Sequence, residues 1–130
     1  MVDHLENHPG AIQLLERLAP AKIAISIITY LEAYEGVERS PDRQAAEAKL
    51  HAFVNRVPVL PLSRAVARRC AALRHALRRQ GKRVDRRALD LLIAATALEH
   101  DLTLVTRNVE DFEDIPGLKL YERQAGEKPG

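Results

Sequence analysis

Tryptophan is absent from the sequence, and only two phenylalanines and three tyrosines occur in its 130 residues. None of these five stands among the arginines, which excludes a platform on which successive nucleic-acid bases stack. The single cysteine, Cys70, cannot close an internal disulfide. No apolar run approaches the roughly 20 residues that cross a bilayer as a helix. The opening Met1-Val2-Asp3-His4 lacks the basic-then-apolar pattern of a secretory leader. The expected location is therefore cytoplasmic, with no membrane partner. There is no glycine-rich phosphate loop, which argues against ATP chemistry. The five histidines and Cys70 do not fall at zinc-ligand spacing, and no Ser/His/Asp nucleophile set is evident.

What is present is an ordinary globular composition, 46% apolar and 29% charged, at a length that fits one domain. We expect that domain to occupy residues 1–123 and residues 124–130 to form a disordered tail. The net charge is only +2, but it is unevenly spread. Ten of the 20 basic residues lie from Arg64 to Arg87, against one acid, Asp85. Two readings of this block stand: a solvated helix face, or a surface that attracts phosphates.

Hydrophobic periodicity gives alternating helices and strands. Pro9 to Leu18 reads as a helix, with Leu14, Leu15 and Leu18 at helical spacing. Lys22 to Ile28 reads as a buried strand, after which Thr29 opens a helix to about Arg39. Ser40-Pro41 starts a helix to about Asn55, and Val57 to Leu60 is a strand fragment. Ser63 starts a basic helix ending near Gly81. Asp85 or Arg86 starts the next, whose stretch from Ala88 to Leu98 is almost wholly apolar. Leu102 to Val105 is a strand, Asn108 to Phe112 a turn, and Leu118 to Tyr121 a last short strand. Such alternation predicts an α/β fold with a parallel sheet between helices, whose sites form beyond the carboxyl ends of the strands.

Acids recur at that end. Glu32 follows the first buried strand by one turn, although Thr29-x-x-Glu32 also fits a capping box. Asp90 is the only charge in an eleven-residue apolar stretch; a buried lone carboxylate is costly unless paired or metal-bound. Its alternative role is a first-turn acid favoured by the helix dipole. Thr106, Asn108 and Asp111 follow the Leu102 to Val105 strand, where each is also a candidate cap of the next turn. Carboxylates gathered in one place repel one another, and a hard cation with oxygen ligands, Mg²⁺ or Mn²⁺, resolves the repulsion. Such an ion delivers hydroxide and stabilises charge on a phosphodiester oxygen.

Three runs in this order resemble the PIN-domain toxins of VapC-type toxin–antitoxin pairs. They are Ile25-Ser26-Ile27-Ile28-Thr29-Tyr30-Leu31-Glu32 with Gly36, Asp90-Leu91-Leu92-Ile93-Ala94-Ala95, and Leu104-Val105-Thr106-Arg107-Asn108 with Asp111-Phe112. The resemblance covers residues 8 to 121, and its specificity lies in the order and spacing of the three. It implies a three-layer α/β/α sandwich around a short parallel sheet and metal-dependent cleavage of RNA. It also implies a homodimer and inhibition by a cognate antitoxin. Glu32, Asp90 and Asp111 match the family's second, third and last acids and would be catalytic and metal-binding. Thr29, Thr106 and Asn108 are site neighbours, and Arg83, Arg86, Arg87 and Arg107 are candidates for RNA contact. A binding module without chemistry, or a DNA-directed nuclease of the same fold, are the competing readings.

One departure stands out. Family members begin with a strand ending in Asp-Thr-Asn or Asp-Thr-Asp, whose first aspartate is a metal ligand. Here only two residues precede Asp3, too few for a strand, and the stretch to Pro9 is too short for the usual intervening helix. The first strand and its aspartate are expected to be missing. Unpaired backbone in the sheet interior, an exposed edge and a weakened metal site would follow.

Overall fold

The computed structural model describes residues 2–7 and 23–121. The helix expected over Pro9 to Leu18 and the tail from 124 to 130 lie outside these residues. Among the described residues, four strands form a sheet in the order β3-β2-β1-β4: β1 (His4–Glu6), β2 (Ile23–Ser26), β3 (Val59–Leu60) and β4 (Thr103–Val105). Every pairing is parallel.

The expectation of a missing first strand is overturned. β1 occupies the sheet interior, with Leu5 opposite Ala24 on one side and Leu104 on the other. The strand begins after Asp3 rather than ending at it, so the residues ahead of Asp3 need not supply it. Asp3 gives only its carbonyl, which accepts from the Thr103 amide at 2.9 Å. Three residues suffice because both neighbours pair with them and Leu5 is wholly buried. Neither an empty interior nor an open edge at this position results. His-Leu-Glu carries no apolar run, so hydrophobic patterning passes over it.

β2 shows how the layers form. Its alternate side chains point to opposite faces. Ile23 and Ile25 pack with Phe53 and Val57 on one face. Ala24 joins Leu5, Leu73, Leu91 and Leu104 on the other. The first face is covered through α2 (Arg43–Val54), which supplies Phe53 and lies against α1 (Ile27–Arg39). The second is covered by α3 (Arg64–Arg79) and α4 (Ala88–Glu99). The sandwich of helices on both faces of a parallel sheet is thus the expected one.

α3 and α4 form an antiparallel hairpin. Val66, Cys70, Leu73 and Leu77, at helical spacing, turn into the core, while Arg64, Arg68, Arg69, Arg78 and Arg79 stay exposed. Arg69 meets Glu99 at 3.3 Å and Arg78 meets Asp85 at 3.7 Å, so the start of α3 faces the end of α4. α4 buries Leu91, Ile93, Ala94, Ala95, Thr96 and Ala97. Burying each large apolar side chain contributes about 1.5–3 kcal/mol, and the buried Thr96 hydroxyl is satisfied by the Leu92 carbonyl at 2.8 Å.

Several boundaries differ from the sequence reading. Ser26, not Thr29, caps α1, its hydroxyl accepting from the Thr29 amide at 3.0 Å. Asp42 rather than Ser40 caps α2. Asp85–Arg87 forms a 3-10 turn ahead of α4, and Val109–Asp111 forms another after β4. The last expected strand is reduced to one parallel bridge, Leu104 to Leu120. Gly81, at φ 79°, ends the α3 region in the left-handed conformation that favours glycine.

Candidate active site

The carboxyl ends of β1, β2 and β4 converge, and a chain of polar side chains, buried at Ser26, Thr29 and Asn7 and partly buried at Thr106, joins them. Ser26, at the end of β2, donates its hydroxyl to Thr29 Oγ1 at 3.1 Å. Thr29 in turn donates to Asn7 Oδ1 at 3.3 Å. The Asn7 amide nitrogen donates to Thr106 Oγ1 at 3.3 Å, and the Asn108 backbone N–H reaches the same oxygen at 3.1 Å. Asn7 is also held by its backbone, which donates to the Val105 carbonyl at 2.9 Å. Buried polar groups persist only when satisfied, and here each member satisfies the next.

Around this chain stand the acids. Glu6, the last residue of β1, is wholly buried. Glu32 lies in the second turn of α1. The capping-box reading of Glu32 is overturned by the start of α1: the helix begins at Ile27, so the position three beyond the cap is Thr29 itself. Although much of Glu32 is exposed, its carboxyl is pushed above the usual range, first by burial and then by the negative charges of Asp90 and Glu35. The two expected acids therefore sense each other across α1 and α4. Asp90 is partly buried, in the first turn of α4.

Asp111 joins them indirectly. Its side chain is exposed, while its carbonyl accepts from Arg87 Nη2 at 2.9 Å. Arg87 grips Asp114 with two nitrogens, at 2.8 and 2.7 Å. Lys82 approaches the same carboxylate at 3.1 Å. These cations hold the Asp114 carboxyl down at about 2, Arg87 contributing most. Arg83, Arg86 and Arg107 are exposed. Arg87 differs from them, because its guanidinium is already engaged.

Among the described residues, no three Asp, Glu, His or Cys side chains stand close enough to hold an ion as placed. The donor set nonetheless suits a hard cation: oxygen ligands only, with Glu32 and Asp90 repelling as close carboxylates do. Sequence reasoning missed Glu6 and Asn7. The available signal was an acid and an amide side by side at the end of a possible short strand, but it was hidden by the expectation that the strand must end at Asp3.

A PIN domain family model matches residues 1–118. The chain is 32% identical over 118 residues to a tRNA(fMet)-specific endonuclease VapC of Shigella flexneri, covering 91% of this chain and 88% of that protein. It is 34% identical over 118 residues to ribonuclease VapC2 of Rickettsia felis, covering 89% and 87%. Among solved structures it resembles a chain of the DNA-bound VapBC of Salmonella typhimurium. That TM-score is 0.81 at 27% identity, covering 93% of this chain and 98% of the other.

Proposed function

The chain belongs to the PIN-domain family and is a ribonuclease toxin of the VapC type, and we propose that it cuts RNA with Mg²⁺ or Mn²⁺ held by Glu6, Glu32, Asp90 and Asp111. The observation that carries this reading is the placement of Glu32 and Asp90 within electrostatic range of each other at the sheet end that also holds the buried Glu6. Glu6 ends β1, where family members carry their first aspartate, so the ligand expected to be missing has a replacement one methylene longer.

The ion, when bound, supplies hydroxide and stabilises charge on the phosphodiester oxygen. The protein's part is placement. The chain from Ser26 through Thr29 and Asn7 to Thr106 fixes the three strand ends relative to one another. That fixes Glu6 and the start of α1, and hence Glu32. Arg83, Arg86 and Arg107 offer exposed positive charge that attracts the RNA backbone. We further propose a homodimer and an antitoxin partner; similar solved chains come from toxin–antitoxin complexes. Ile27 and Leu31, one turn apart on α1, and Leu89 beside Asp90 are exposed apolar side chains near the acids. An antitoxin segment covering them would also shut the site.

The test incubates the purified chain with a structured RNA and Mn²⁺, alongside Asp90→Asn, Glu6→Gln, EDTA and a single-stranded DNA control. RNA cleavage lost in the three perturbed samples is expected. Cleavage that survives Asp90→Asn and EDTA would refute the reading. Antitoxin binding without any hydrolysis would favour the binding module, and preference for DNA would favour the DNA-directed nuclease.

A further inference from the structure

We propose that Arg87 is a positioning residue, clamping the segment that carries Asp111 to the turn that leads into Asp90. The proposal rests on the metal-site reading above. Arg87 closes the 3-10 turn Asp85–Arg87 directly ahead of α4. From there it reaches over to the segment after β4 and makes three hydrogen bonds: two to the Asp114 carboxylate at 2.8 and 2.7 Å and one to the Asp111 carbonyl at 2.9 Å. Its side chain is only 22% exposed. A guanidinium with these partners has little left to offer a phosphate, which separates Arg87 from Arg83, Arg86 and Arg107.

The geometry requires arginine. Its planar fork presents several donors in fixed directions, so it can grip a carboxylate with two of them and still meet a carbonyl. A lysine ammonium is a point donor and holds one such contact well. The segment it clamps is otherwise light. Val109–Asp111 is a single 3-10 turn, held by the Asp111 and Phe112 amides bonding to Asn108 and Val109 and by the buried Phe112. Without the clamp, Asp111 would be held only by that turn, by the Asn108 amide on Thr106 Oγ1 before it and by the buried Phe112 after it.

Charge points the same way. Lys82 and Arg87 carry two positive charges against one on Asp114. The surplus lies within electrostatic range of Asp90 and Asp111, with Asp114 the nearer partner. The clamp thus also offsets repulsion among the acids before an ion arrives.

Three variants test this: Arg87→Lys, Asp114→Asn and the double mutant, each first shown to be folded by circular dichroism. Mn²⁺ affinity is measured by titration calorimetry in the absence of RNA, and amide exchange is followed over residues 108–112 in the metal-free protein. The expected result is roughly 10-fold weaker Mn²⁺ binding in either single variant. The double variant should be little worse, since both remove one clamp, and exchange over 108–112 should quicken. Unchanged Mn²⁺ affinity in the folded single variants overturns the proposal, whatever happens to the melting temperature. A raised KM for RNA with a flatter salt dependence and unchanged Mn²⁺ affinity would make Arg87 a phosphate contact instead. Wild-type protein that binds no Mn²⁺ overturns the metal-site reading and this inference with it; wild-type binding indifferent to Arg87 overturns this inference alone.

Discussion

Replacing Asp114 by asparagine should destabilise the protein at neutral pH and matter progressively less in acid. The carboxyl is held at about 2 against an ordinary 3.8, by Arg87 first and Lys82 after it. At 1.36 kcal/mol for each unit, a difference of about 1.8 units corresponds to about 2.4 kcal/mol. The Asp114 side chain is 27% open to solvent, and screening at such a site cuts this to about 1–2 kcal/mol. For a domain of this length that is about 4–8 °C in Tm. The folded pKa lies below the unfolded one, so the stabilisation is complete above about pH 4 and is lost as the pH falls through about 2. Near pH 3 roughly half remains by the same linkage. With no tryptophan to report unfolding, urea melts of wild type and Asp114→Asn are best followed by far-ultraviolet circular dichroism at pH 7, 4 and 3. The gap in ΔG should be widest at pH 7, nearly as wide at pH 4 and about halved at pH 3. A gap that is absent at pH 7, or that stays constant down to pH 3, would refute the assignment of the shift to the Arg87–Lys82 clasp.

Asn7→Ala should cost about 1–3 kcal/mol, because it leaves Thr106 without its side-chain donor and removes the acceptor of the Thr29 hydroxyl; a urea midpoint within error of wild type would contradict the network. Phe112→Ala should cost about 3–5 kcal/mol, since this ring is 1% exposed, and should quicken amide exchange at Asp111 ahead of the rest of the chain. Exchange spread evenly over the protein would show that Phe112 supports the core without anchoring that turn.

The sequence was most informative where burial imposes a period. α3 follows its apolar spacing, and its cap at Ser63 and stop near Gly81 fall where residue chemistry puts them. α4 was legible because eleven residues with one charge can only be an interior element. Glu32 was found by its place one turn after a strand and Asp90 as the only charge in an apolar stretch, and the structure brings them within electrostatic range. β1 was not legible. A three-residue strand with one apolar side chain gives no period, and its stability comes from two neighbours placed 19 and about 99 residues along the chain. The role of Arg87 was hidden for a related reason. In sequence it is one of a run of arginines, and only the fold, by bringing Asp114 alongside, distinguishes it from Arg83 and Arg86.

The interior position of β1 has a consequence for the protein while it is being made. Asn7 and Thr106, which meet across the strand ends, are separated by 99 residues. No local folding event can bring them together, and contacts between such distant residues form late. A growing chain emerges from the ribosome amino end first, so β1 leaves the exit tunnel long before β4 exists. Until β4 emerges, β1 lacks one of its two partners, and neither Thr106 nor Asp111 is in place. A ribonuclease of this family is thereby unable to bring the acids proposed to hold its metal to one end of the sheet until nearly all of its described length has been translated.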